Sequence, residues 1–161
     1  MNQLITRQEL NLSLEDAWTF FSSPANLNKI TPSYMDFKIT SDLGSDFYPG
    51  MIITYEVRPF LGIKMNWVTE ITQVKAQQFF IDDQLAGPYK YWHHEHHFRA
   101  TEKGVEMTDI LHYAAPFGFI GSLAELLFVN RQVQQIFSFR KQKLDDLFNS
   151  DLYEKRSVIP I

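Results

Sequence analysis

Between Gly50 and Tyr113 the apolar residues fall on every second position, and past Pro116 and Gly118 they fall at intervals of three and four. Period two belongs to strands whose side chains alternate between two faces; the longer period belongs to a helix with one apolar stripe. A chain patterned this way must form a sheet with one apolar face, followed by a single long helix able to cover it. Met51, Ile53, Tyr55 and Val57, then Ile63, Met65, Trp67 and Ile71, mark the first two strands of the run, with Arg58-Pro59-Phe60-Leu61-Gly62 as the turn between them. Segments from Gln77 to Leu85, Tyr89 to Thr101 and Val105 to Tyr113 continue it, separated by Gly87-Pro88 and Lys103-Gly104, which predicts an antiparallel meander. Leu123, Leu126, Leu127, Val133, Ile136, Phe137, Leu144, Leu147 and Phe148 then predict a helix from about Phe119 to Phe148, about 45 Å long at 1.5 Å per residue.

Upstream, Leu4, Leu10 and Leu12 share a parity with Thr6 and Gln8, which reads as a first strand. Ser13 stands three residues before Asp16, the spacing of a helix N-cap, and Leu14, Ala17, Trp18 and Phe21 follow at helical intervals. Pro24 opens a second short helix through Leu27 and Ile30, which Thr31-Pro32 should stop because the residue before proline avoids the helical region. Phe37 and Ile39 form a brief strand, and Gly44 to Gly50 is loop. The predicted order is strand, two short helices, six strands, long helix: an α+β class with a single domain over residues 1–150 and a non-periodic tail over residues 151–161.

Such a sheet curving around a helix encloses volume, and small molecules bind in clefts of that kind. The 14 Phe, 7 Tyr and 3 Trp of this 161-residue chain need an interior to fill. A formal net charge of −4 argues against a phosphate-neutralising surface, so no nucleic-acid partner is expected. With no cysteine there is neither a disulfide framework nor thiolate chemistry, which fits a reducing compartment and makes the cytoplasm the default location. Met1 to Leu12 alternates polar and apolar residues unlike a signal peptide. No apolar stretch approaches the ~18 residues of a membrane span, so a soluble protein without stable membrane insertion is expected.

Several spaced motifs extend the reading: Asn26-Leu27 before Ile30-Thr31-Pro32; Asp82-x-Gln84-x-x-Gly87-Pro88-Tyr89; Trp92-x-His94-x-His96-x-Phe98; Asp109-x-x-x-Tyr113-x-x-Pro116; and a late Arg140. In this order they resemble the START and polyketide-cyclase-like superfamily, SRPBCC, over about residues 1–148. The resemblance implies a helix-grip fold: a seven-stranded curved antiparallel sheet wrapping a long C-terminal helix, two short helices after the first strand, and an internal ligand cavity. It also implies lipid, quinone or polyketide-like ligands, with cyclases and dehydratases among the members, and no single shared reaction.

The strand from Tyr89 to Arg99 carries the most chemistry. Trp92, His94, His96 and Phe98 share one face, while Tyr91, His93, Glu95 and His97 share the other. If the first face is inner, two imidazoles stand on an aromatic wall; they are either ligand contacts or buried polar groups satisfied by their neighbours. His93 and His97 then lie in solvent on the outer face. Asp109 falls on the inner parity of the next strand, and a buried carboxylate needs a partner. It is expected to hydrogen-bond His94 or His96, fixing the tautomer and raising the imidazole pKa.

Two histidines two apart on a strand also suit a zinc ion, but a third ligand is required. Asp109, Asp82 and Glu95 are the candidates, with Glu95 on the wrong parity, and without a further ligand-spacing motif no metal and no cofactor are expected. Asp82 and Gln84 face a different uncertainty, because Phe79, Ile81 and Leu85 occupy the opposite parity and leave the inner face of that strand undecided. Gln84 is then either a pocket hydrogen-bonding group or part of the turn at Gly87-Pro88. On the long helix Asn130 is a candidate pocket donor, and Arg140 is either a snorkelling or salt-bridged cation or an anchor for a ligand carboxylate. Tyr55, Trp67, Tyr113 and Phe137 complete the candidate ligand-binding set, and Phe117-Gly118-Phe119-Ile120-Gly121 reads as an apolar pocket lip or contact surface.

Two functions follow. The first is binding of a small hydrophobic molecule for transport, sequestration or sensing. The second is a small cyclase, dehydratase or hydrolase using His94, His96 and Asp109 as acid and base. Binding is favoured because no substrate and no complete catalytic set can be named from the residues. An exposed sheet edge or the apolar start of the long helix could support a weak homodimer.

Overall fold

A computed structural model describes residues 1–44, 46–115 and 123–150. Its elements are β1 (Asn2–Leu10), α1 (Leu14–Phe21), two 3₁₀ segments (Pro24–Ile30 and Ser33–Met35), β2 (Lys38–Ile39), β3 (Met51–Phe60), β4 (Ile63–Lys75), β5 (Phe79–Ala86), β6 (Tyr91–Thr101), β7 (Gly104–Ala114) and α2 (Leu123–Leu144). A final π-helical turn, Asp145–Asn149, extends α2. The strands form one antiparallel seven-stranded sheet in the order β1-β7-β6-β5-β4-β3-β2. This is the predicted meander, with the first strand folded back against the last.

Local chemistry explains most boundaries. Ser13 accepts a hydrogen bond from the Asp16 amide at 3.0 Å, capping α1 as its spacing predicts. The piece opened by Pro24 is 3₁₀ rather than α, and Thr31 is extended at φ −109°, ψ 135°, as the residue before a proline must be. The turn after β3 is shorter than expected. Pro59 and Phe60 remain in the strand, and the reversal is made by Leu61 and Gly62 alone, both at positive φ, as a two-residue hairpin turn requires. Pro59 has no amide hydrogen to offer, and the register irregularity between Val57 and Phe60 accommodates it.

Two further irregularities between β4 and β5, at Val68/Thr69 and Ile71/Gln73, bend the middle of the sheet. The concave face packs in three separate apolar clusters. One joins α1, β6, β7 and the end of α2 through Leu10, Ala17, Phe98, Met107 and Leu144. A second joins β6 and β7 to α2 through Trp92, Leu111, Val133 and Phe137. The third lies over β3 and β4 at Ile53, Tyr55, Val57 and Ile71. They meet around a space and do not fill it.

The helical reading from Phe119 holds from Leu123 onward, with the last turn widened into a π-turn. The apolar Phe117-to-Gly121 segment and the 151–161 tail lie outside the described residues. Among the described residues no helix is long and apolar enough to cross a membrane.

The hairpin between β6 and β7 gives a stability test. Gly104 sits at φ +142°, and a Cβ there would lie 2.2 Å from the Leu10 carbonyl oxygen. Gly62, at φ +73°, has open space around it. Gly104→Ala should lower the unfolding free energy in urea by about 3 kcal/mol, and Gly62→Ala by about 1 kcal/mol. Equal costs for the two substitutions would contradict the close approach of β1 to this turn.

Candidate functional site

The alternation of β6 aims Trp92, His94, His96 and Phe98 into the concave face, where all four are buried. Cross-strand register then places two acids beside the imidazoles. Asp82 of β5 pairs with His94, and Asp109 of β7 pairs with His96. The hydrogen bonds run along the diagonals. His94 Nε2 lies 2.9 Å from Asp109 Oδ1, and His96 Nε2 lies 2.8 Å from Asp82 Oδ2. The remaining nitrogens close the array as charge contacts. His96 Nδ1 is 3.0 Å from Asp109 Oδ1 but off the line of a hydrogen bond, and His94 Nδ1 is 3.6 Å from Asp82 Oδ2. The imidazole centroids are only 3.8 Å apart. Phe80 stacks on His96 at 4.2 Å and Phe137 packs edge-on against His94 at 5.4 Å, so rings enclose the array.

The electrostatics divide the pair. Burial alone pushes carboxyl pKa values up and imidazole values down. For Asp82 that push is outweighed by the His96 hydrogen bond and by the charges of His94, His96 and Arg140, and the carboxyl stays below its usual range. For Asp109, burial is outweighed by the His94 hydrogen bond, the close His96 contact and the charges of both histidines, which hold it far below that range. Burial also opposes protonation of His96, but its contacts with Asp109 and Asp82 win and raise its pKa. For His94, burial and the neighbouring His96 prevail over the Asp109 hydrogen bond and lower it. Asp109 pushes both imidazoles upward, as expected, but only His96 ends above its usual value, because burial and the charge of His96 outweigh that push at His94. Because a carboxylate only accepts, the proton of neutral His94 resides on Nε2.

In front of the array lies a cavity of ≈ 120 Å³, room for roughly four water molecules. Its walls are mostly apolar and come from all three clusters; the polar lining is Asp82, His94, His96, Arg140 and Thr69, together with Ser23, Asn26 and Thr31 from the segment after α1. Arg140 is buried, with its guanidinium carbon 5.1 Å from the Phe137 ring centroid and its Nε without a hydrogen-bond partner. Snorkelling to solvent does not describe it.

A family model for polyketide cyclase / dehydrase and lipid transport proteins matches residues 10–139. The chain belongs to that family. Its fold is the helix-grip fold expected of the SRPBCC superfamily, and the solved structures agree. Protein Ms6760 from Mycobacterium smegmatis is 19% identical, with 90% of this chain and 89% of that chain covered and a TM-score of 0.65. Protein NE0264 from Nitrosomonas europaea is 16% identical, with 96% of each chain covered and a TM-score of 0.67. Protein TTHA0849 from Thermus thermophilus is 14% identical, with 90% and 95% covered and a TM-score of 0.63. No curated protein matches the sequence.

Within this polyketide cyclase-like domain, Tyr55, Trp67, Trp92, His94, His96, Phe137 and Arg140 line the cavity. Other sequence candidates stand apart from the lining. Asp109 lies behind the imidazoles; Phe98 packs against Trp18 and Phe21 beside α1. The Tyr113 hydroxyl donates to Asn130 Oδ1 at 3.1 Å, which occupies both groups with each other. Gln84 donates to the Tyr89 carbonyl at 2.7 Å and accepts from the Tyr89 amide at 3.3 Å, bracing the Gly87-Pro88 turn. Asp82, left undecided by parity, lines the cavity, and the even positions of β5 face inward. The outer histidines are not simply solvated: His93 Nδ1 meets Asp83 Oδ1 at 2.7 Å and His97 Nε2 meets Glu95 Oε2 at 2.8 Å. Among the lining residues between Phe20 and Phe37, Phe21, Leu27, Ile30 and Phe37 stand at predicted apolar positions, whereas Ser23, Asn26, Thr31 and Met35 carry no periodic signal, although Asn26 and Thr31 are motif positions.

The array should be visible in stability. Removing one partner from a buried charged pair costs about 3–5 kcal/mol, so Asp109→Ala should lose that amount at neutral pH. Both acids have depressed values in the fold. Their contribution is complete above the unfolded carboxylate value of about 3.9 and is lost as pH falls through the folded values. The cost of Asp109→Ala, measured by urea denaturation across pH, should therefore shrink steadily below about pH 4. A cost independent of pH would show that Asp109 is not ionised in the fold.

Proposed function

We propose that this chain binds a small molecule with an apolar body and an oxygen-bearing end, for transport, sequestration or sensing. What carries this reading is the cavity: a wall made mostly of rings and aliphatic side chains, with the charged groups Asp82, His94, His96 and Arg140 gathered on it. Affinity then comes from burying apolar surface, at about 25 cal/mol per Å², and orientation from His94, His96 and Arg140. The volume suits a compact ligand, on the order of 5–8 non-hydrogen atoms, far smaller than an extended lipid. The family's name, polyketide cyclase / dehydrase and lipid transport, is consistent with such a ligand.

A second reading rests on the divided imidazoles. His96 is held toward its protonated form and His94 toward its neutral form, and paired groups pushed apart in this way serve as acid and base in enzymes. Asp109, behind them, would position both. In that case the chain is a small cyclase, dehydratase or hydrolase working on the same ligand.

Native mass spectrometry of the purified protein, with chromatographic identification of the released molecule, tests the first reading. A retained compact apolar ligand is expected, and Leu27→Trp, which fills the cavity from the 3₁₀ segment, should lose it while keeping the fold. A protein that purifies empty and whose Trp67 and Trp92 fluorescence does not respond to phenol would contradict the proposal. Turnover of the identified ligand that vanishes in His96→Ala would establish the second reading.

A further inference from the structure

The buried array at the end of the cavity has the composition and geometry of a metal centre. Asp82, His94 and His96 each turn one donor atom toward a common point, and the three atoms lie within 4.8 Å of one another. Asp82 Oδ2 is 2.8 Å from His96 Nε2 and 3.6 Å from His94 Nδ1. A tetrahedral ion with bonds of about 2.0–2.1 Å spaces its donors by roughly 3.3 Å, between those two distances.

What lies behind the donors matters as much. Asp109 holds His94 through Nε2 and touches His96 at Nδ1, the two nitrogens that do not face Asp82. Each imidazole thus has its far nitrogen against a carboxylate and its near nitrogen directed at the common point. Metal-binding histidines are oriented in this way: the carboxylate fixes the ring and makes the coordinating nitrogen more basic. The cavity on the other side leaves coordination positions open, as sites that act on or hold an exogenous ligand require.

We infer that Asp82, His94 and His96 bind a divalent first-row transition metal ion, with Asp109 as the group that orients both imidazoles. Two nitrogens and one oxygen without thiolate suit zinc, ferrous iron or cobalt, and disfavour calcium and magnesium, which prefer oxygen alone. The ion takes the place of the proton on His96 Nε2 that now bridges to Asp82. Its open positions accept an oxygen of the cavity's ligand, a carboxylate, enolate or hydroxyl, and Arg140 on the same wall meets the negative charge that such a group brings. The site shares the cavity of the proposed organic ligand, but the ion alone tests it, so the two ideas fail separately.

The experiment uses the untagged chain, stripped with a chelator, dialysed, and titrated with Zn(II) against a chromophoric competitor and with Co(II) by visible absorption. One equivalent of each ion should bind, with Co(II) giving the intense bands of a low-coordinate site. Asp109→Asn should weaken Zn(II) binding by about 10- to 100-fold, and His96→Ala should weaken it further. A His93→Ala/His97→Ala variant, which removes histidines from the outer face, should bind as the parent does. X-ray absorption of the Zn(II)-loaded parent chain requires no variant to fold, and should show two imidazoles in the coordination sphere. Absence of micromolar or tighter binding, a bound equivalent lost only in the outer-face variant, or a coordination sphere without imidazole would overturn the inference. Retention of an organic ligand by a chain that binds no metal would leave the proposed function standing.

Discussion

Two imidazoles and the Asp109 carboxylate are buried with the half-buried Asp82 carboxylate in the middle of an apolar sheet face, and most of the architecture answers to that constraint. An isolated buried ion costs several kcal/mol even after relaxation, so each of these groups is tolerable only with its partners in place. The diagonal bonds from His94 to Asp109 and from His96 to Asp82 tie three neighbouring strands, β5, β6 and β7, at one level. A one-residue slip of any of the three would turn its member of the array outward and leave the others unpaired. Apolar packing tolerates more than one register; this array tolerates one.

The same constraint shapes the cavity. Register irregularities between β4 and β5 fall beside Asp82, whose partner is Ile71, and the three apolar clusters close around the gap without merging. The rings of Phe80, Trp92 and Phe137 shield the charged groups from water, which strengthens their mutual attraction. Arg140 enters from the helix side and adds a cation without a carboxylate of its own among the described contacts. An apolar chamber with a charged, nearly dry end follows from these placements, and a ligand with one oxygen-bearing end is the molecule that complements it.

Much of this was legible in the residues. Alternation placed Trp92, His94, His96 and Phe98 on one face, parity placed Asp109 beside them, and the change of period marked where sheet yields to helix. Asp82 was not legible, because Phe79 and Ile81 on the opposite parity looked equally suited to the interior. They lie on the outer face, where long neighbours cover them: Phe79 packs its ring 5.6 Å from that of His97. Gln84, Asn130 and Tyr113 have the right chemistry for a pocket and are consumed by local bonds that no periodicity predicts. The lining between Phe20 and Phe37 comes from the end of α1 and from short 3₁₀ segments and their flanks, and only tertiary packing brings it over the cavity.

The ordered array is the central claim, and histidine side-chain nitrogen NMR reads it directly. In the metal-free chain at neutral pH, long-range proton–nitrogen spectra should show His94 neutral with its proton fixed on Nε2, and His96 still protonated above the pH at which free histidine titrates. Two imidazoles in rapid tautomeric exchange, both titrating like free histidine, would contradict the account.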